Sequence, residues 1–168
     1  MLGKKGSSMH IGKFRYKTNV SSEFMKLSIE DETAAETLAQ NGQYRQACYF
    51  IIQAMEKYIR SKIFTLVNAN IEYFRNRNRT HSLDSAVEFL IEIVSSDKVV
   101  QEQVSQQLNI HVLGNTQYGH LHNNLRYPAY FNKYNSYSIL DVELDDFVKL
   151  KTRLHSLKKF LNDLHKLA

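Results

Sequence analysis

The sequence predicts an all-α protein, an up-and-down bundle of four long helices plus a short extra one. Three observations carry this expectation. Apolar residues recur at spacings of three and four along several stretches, the period of a helix with one buried face. One proline and six glycines in 168 residues leave few points at which a helix must break. No stretch shows the convincing apolar–polar alternation of a half-buried strand.

The first helix is expected over about 22–40, where Phe24, Leu27, Ala34, Ala35 and Leu38 form a patchy apolar stripe. Asn41-Gly42 then reads as a stop, with glycine suited to the left-handed position just past a helix end. The short gap makes the next helix antiparallel. That helix runs from Gln43 to about Val67, with Tyr44, Cys48, Ile51, Met55, Tyr58 or Ile59, and Ile63 on one buried face. Cys48 lies on this stripe and reads as a packed core thiol. Residues 68–82 alternate Arg and Asn and read as a loop or frayed helix end. Ser82 is placed to cap a third helix over about 83–95, whose face is Leu83, Ala86, Val87, Leu90, Ile93 and Val94. Ser96-Asp97 can cap a weaker fourth helix near 98–109, with Gly114 just beyond it. Residues 111–140 read as one long loop, rich in tyrosine and histidine and holding the single proline. The last helix, about 141–167, repeats Phe147, Leu150, Leu154, Leu157, Leu161 and Leu164 at alternating steps of three and four, the seam of an antiparallel bundle. Acids crowd its start and lysines its second half, as the helix dipole favours.

Charge is unevenly placed. The chain carries 22 basic and 17 acidic residues, a formal net charge of +5. Residues 1–20 contain Lys4, Lys5, Lys13, Arg15 and Lys17 and no acid, so the remaining 148 residues balance. We read 1–20 as a flexible basic arm and 21–168 as the helical domain. No run of about 18 apolar residues suits a membrane span, and no apolar segment follows the N-terminal charges as in a secretory signal. A single cysteine permits neither an internal disulfide nor a Cys-x-x-Cys zinc site. A reducing, cytoplasmic setting fits. No Gly-rich phosphate loop is present, and no cofactor is expected.

Four motifs in order then resemble one family. Residues 34–47, Ala-Ala-Glu-Thr-Leu-Ala-Gln-Asn-Gly-Gln-Tyr-Arg-Gln-Ala, resemble the A…L…G-x-Y-x-x-A opening of HEPN domains (higher eukaryotes and prokaryotes nucleotide-binding). Gln53 to Tyr58 looks like their Q-x-x-E-K segment, Thr80-His81-Ser82-Leu83 like the T-H-D-L turn, and Leu125 to Pro128 like the R-Y-P segment. The resemblance covers about residues 22–165. It implies a helical bundle that often dimerises. It also implies binding of RNA or a nucleotide, in some members as a metal-independent ribonuclease of a toxin–antitoxin or phage-defence system. Other members partner a nucleotidyltransferase without catalysis. An antitoxin is a further partner it implies.

Nuclease members carry an Arg, usually followed by a polar residue, and a His after four to six intervening positions. Arg75, Asn76 and His81 match this spacing. The chemistry is sensible: a histidine can move the 2′-hydroxyl proton and an arginine can brace the phosphorane oxygens. The same His81 also belongs to the T-H-D-L-like turn, where it would simply open the third helix, and both readings stand. Binding candidates are Arg77 and Arg79, which with Arg75 put three planar phosphate-binding forks within five residues, and His120, His122, Arg126 and Tyr127, where aromatic and basic residues interleave. His120-Leu121-His122 lacks a nearby acid to complete a ligand set, so no metal site is expected.

Overall fold

Gly42 turns the chain between its first two helices, at φ +73°, the left-handed conformation that an L side chain resists. In the computed structural model, which describes residues 11–167 (backbone alone for 165–167), α1 spans Val20–Gln40 and α2 spans Tyr44–Leu66. A one-and-a-half-turn helix, α3 (Glu72–Arg77), follows, then α4 (Leu83–Val94) and α5 (Lys98–Gln106). α5 runs on into π-helical turns over Gln107–Val112. α6 (Tyr118–Arg126), a hairpin of β1 (Ala129–Phe131) and β2 (Ser136–Ser138), and α7 (Leu144–Leu167) complete the chain.

The all-α class holds, and α1, α2, α4 and α7 are its principal helices. The caps are those the sequence offers. Ser82 Oγ accepts from the Ser85 amide at 3.1 Å, and Asp97 Oδ1 from the Val99 amide at 2.8 Å. Gly114, at φ +69°, lies two residues past the π turns, and a β-carbon there would meet the Arg153 guanidinium at 2.6 Å. Phe147, Leu150, Leu154, Leu157 and Leu161 of α7 are buried as the seam requires. Residues 11–19 are irregular and exposed, and Arg15 pairs with Glu23 of α1 at 3.0 Å. Residues 1–10 of the expected arm lie outside the described residues.

Three expectations need correcting. First, α2 is not buried on one face. Thirteen of its 23 residues are buried, because α1, α4, α6 and α7 all pack against it. Glu56, Arg60 and Ser61 are among them, polar residues that conceal the burial in the sequence pattern. Secondly, Leu27 stands 42% exposed, and the neighbouring Ser28 faces α2 instead, donating its hydroxyl to the Ala54 carbonyl at 2.8 Å. Small side chains at Ser28 and Ala35 let the two helices approach closely. Thirdly, 111–140 is not one loop. Tyr118 and Leu125, two helical turns apart, are buried and anchor α6, although Gly, His and Asn make it a poor helix by propensity. The hairpin pairs Ala129 with Ser138, Tyr130 with Tyr137 and Phe131 with Ser136.

Tertiary bonds hold α6 at both ends. Asp84 Oδ2 of α4 accepts from the Gly119 amide at 2.8 Å. At the other end, Arg45 of α2 donates to the Asn124 and Leu125 carbonyls, both at 3.3 Å, and also to that of Leu140. A cation there meets the negative end of the helix dipole.

The centrality of α2 has a measurable consequence. Ile59→Ala, at a fully buried position, is expected to lower unfolding stability in urea by about 2–5 kcal/mol. Leu27→Ala is expected to change it by less than about 0.5 kcal/mol.

Candidate functional site

One strip of α2 is polar. Tyr49, Gln53, Glu56 and Arg60 recur at steps of four, three and four, so they share a face. On this strip the separate sequence motifs meet. Glu56 and Arg60 form an ion pair, Nε to Oε1 2.9 Å, with side chains 8% and 0% exposed. Two buried charges are tolerated only when their remaining hydrogen-bonding groups are satisfied. Arg60 does this by donating to Asn78 Oδ1 at 3.0 Å and to the Thr80 carbonyl. The buried pair thus pins the turn between α3 and α4, and that turn carries His81. His81 Nδ1 lies 3.7 Å from the same Glu56 oxygen, while its side chain is 69% exposed.

One helical turn earlier on the strip, the Gln53 amide nitrogen lies 2.9 Å from His122 Nε2 of α6. With the amide nitrogen turned to the ring, this ring nitrogen accepts; the orientation of the Gln53 amide sets the tautomer. The ring also stacks on Tyr49, centroids 4.7 Å apart. Burial pushes the His122 pKa below its usual value, the Arg126 charge pushes the same way, and Glu56 opposes both. Arg126 lies one turn further along α6, exposed, its guanidinium over the Tyr127 ring at 4.9 Å and donating to the Tyr127 hydroxyl at 2.9 Å. The turn bearing His81 and the helix bearing His122 and Arg126 therefore flank adjacent positions of α2, which neighbour each other on the helix surface.

The other residues singled out in the sequence are placed as follows. Arg75 and Asn76 are exposed on α3, and Arg79 is exposed just after it. Arg77 turns to α4, pairing with Glu92 at 3.0 Å and lying over the Phe89 ring at 5.3 Å, with its Nε buried and unpartnered. His120 is exposed on α6. Sequence reasoning missed Arg60 as the anchor of the His81 turn. The four-residue step from Glu56 to Arg60 was the available signal. Cys48 is 1% exposed, and burial first, then the Asp146 charge, pushes its thiol pKa up to about 11. Among the described residues no cluster of three or more His, Cys, Asp or Glu could hold a metal ion. None of their helices is long and apolar enough to cross a membrane.

A helical bundle whose central helix binds a histidine turn on one side and a His/Arg helix on the other defines the class. The family model of the HEPN domain matches residues 21–167, and the chain belongs to that family. Searches of curated proteins and of solved structures return no significant match. Membership places its function, in general terms, among nucleotide- or RNA-related ones.

Two outcomes test this geometry. Arg60→Met leaves Glu56 buried without its partner and is expected to cost about 3–5 kcal/mol in urea unfolding. The lowered His122 pKa means that the unfolded chain takes up this proton first on acidification. Its contribution to stability is thus complete above pH about 6.5 and is lost as pH falls through and below that value. Thermal melting in that window should fall less steeply with pH in His122→Gln than in the wild type.

Proposed function

We propose that this protein binds RNA or a nucleotide across the α2 strip and, more specifically, that it is a metal-independent endoribonuclease. The observation that carries the reading is the contact between Glu56 and an exposed His81 on a pinned turn. At 3.7 Å the two are not hydrogen-bonded; closing that gap on substrate binding would orient the imidazole and leave Nε2 to exchange a proton with substrate. His81 is assigned proton transfer at the 2′-hydroxyl. Arg75 and Arg126, both exposed, are assigned to the phosphate oxygens, with Asn76 orienting. Arg79, His120 and Tyr127 extend the binding surface, whereas Arg77 is paired with Glu92 and contributes through the packing of α3 on α4. His122 holds α6 in position through Gln53 and Tyr49. The basic arm, residues 1–20, adds sequence-independent attraction for phosphates. Such an activity suits a cytoplasmic toxin–antitoxin or phage-defence system.

A second reading is a non-catalytic module that partners a nucleotidyltransferase. It is favoured by the engagement of Arg77 and His122 in contacts within the protein.

Labelled single-stranded RNA in EDTA separates the two. Under the first reading the wild type cleaves it. His81→Ala then loses at least about 100-fold in cleavage rate, the usual worth of a general acid or base, while still binding. Arg126→Ala and Arg75→Ala weaken binding and reduce its salt dependence. Binding without cleavage by the wild type would select the second reading. Cleavage that survives His81→Ala would remove this histidine from the chemistry.

A further inference from the structure

The hairpin has two unlike faces. Tyr130 pairs with Tyr137 across the strands, and on that side their rings meet edge to face at 5.2 Å. Phe131 pairs with Ser136 and Ala129 with Ser138, which puts these four on the other side, since successive strand residues alternate. Between this second side and the end of α6 lies a cavity of about 250 Å³, walled by Tyr127, Phe131 and Tyr134. The turn shapes the wall. The Tyr134 amide donates to the Phe131 carbonyl at 3.1 Å, and the two rings stand 6.4 Å apart at 63°. Asn135, at φ +45°, closes the turn, and the Tyr130 hydroxyl holds it by donating to Asn135 Oδ1.

No charged residue lines this cavity. Asn124 and Ser138 do, both half-buried, and neither side chain has a hydrogen-bond partner among the described residues. Cations flank it: the Arg126 guanidinium lies over the Tyr127 ring at 4.9 Å and the Lys133 ammonium over the Tyr134 ring at 5.4 Å. Neither is paired with an acid among the described residues, and no Asp or Glu occurs between Glu102 and Asp141. Flat rings, free hydrogen-bonding groups and flanking cations suit a nucleobase whose phosphates lie on the cations. An apolar peptide side chain would offer nothing to Asn124 and Ser138. We propose that the cavity holds one unpaired base of a single-stranded RNA. The inference rests on the RNA reading and deepens it. It sets a base subsite beside the phosphate contact assigned to Arg126, the two joined through the Tyr127 ring. A duplex, whose bases are already stacked and paired, has no base to offer the cavity.

Fluorescence anisotropy with two labelled probes of one length tests this on the full chain. One probe is 2′-O-methyl oligoadenylate, which has no free 2′-hydroxyl to attack the phosphate and so stays intact. The other is the same backbone without bases. The wild type is expected to bind the first at least about tenfold tighter, as stacking on aromatic rings provides. Tyr134→Ala is expected to narrow that difference at least about fivefold. It should keep the slope of affinity against salt, which counts phosphate contacts. Tyr134→Phe should behave as the wild type. Should Tyr134→Ala misfold, Asn124→Ala provides the second measurement, with affinity for oligoadenylate alone falling by about threefold. Equal binding of both probes by the wild type would overturn the base subsite and leave the RNA reading standing, with the cavity left to a protein partner. A difference undiminished in the folded variants would do the same. Binding of neither probe would overturn both.

Discussion

The arrangement of the site depends on the buried ion pair between Glu56 and Arg60. An isolated arginine in a helical core is intolerable, and its pairing with Glu56 leaves donors still to be satisfied. Those donors reach out of α2 and take Asn78 and the Thr80 carbonyl. The requirement to satisfy one buried cation therefore fixes the chain direction between α3 and α4. It also delivers Ser82 to its capping position and His81 to the carboxylate side of the pair. Stability and site geometry are here the same set of hydrogen bonds.

Much of this was legible in the sequence. The α7 seam, the Gly42 turn and the Ser82 and Asp97 caps follow from period and local chemistry, which act within a few residues. Three of the four motifs that resemble the family, in residues 53–58, 80–83 and 125–128, also lie where the strip, the turn and α6 converge, and the first lies at the α1–α2 turn. Other features were hidden because they are tertiary. α6 has a weak helical composition and exists because Asp84, Arg45 and the buried Tyr118 and Leu125 hold it. The hairpin strands are three residues long, too short for alternation to show. Leu27 and Ser28 exchange their expected roles because close helix packing favours a small residue over a large one. The strip on α2 was masked by its own pairing: charged residues read as solvated until their partners are known.

The site also divides its histidines. His81 is exposed beside a carboxylate, whereas His122 is neutral, stacked and hydrogen-bonded. The same side chain thus serves in one place as a group open to a ligand and in the other as a rivet between helices. Sequence spacing treats them alike, and only burial and partners separate them.

Cys48 shows what the packing of α2 does to reactivity. Its thiol is enclosed on the central helix and held protonated well above neutral pH. Thiolate is the form that oxidants and alkylating reagents attack. Burial and the raised pKa thus both disfavour reaction at the chain's one sulfhydryl in the folded state. A thiol introduced at the surface is therefore expected to be labelled ahead of the native one.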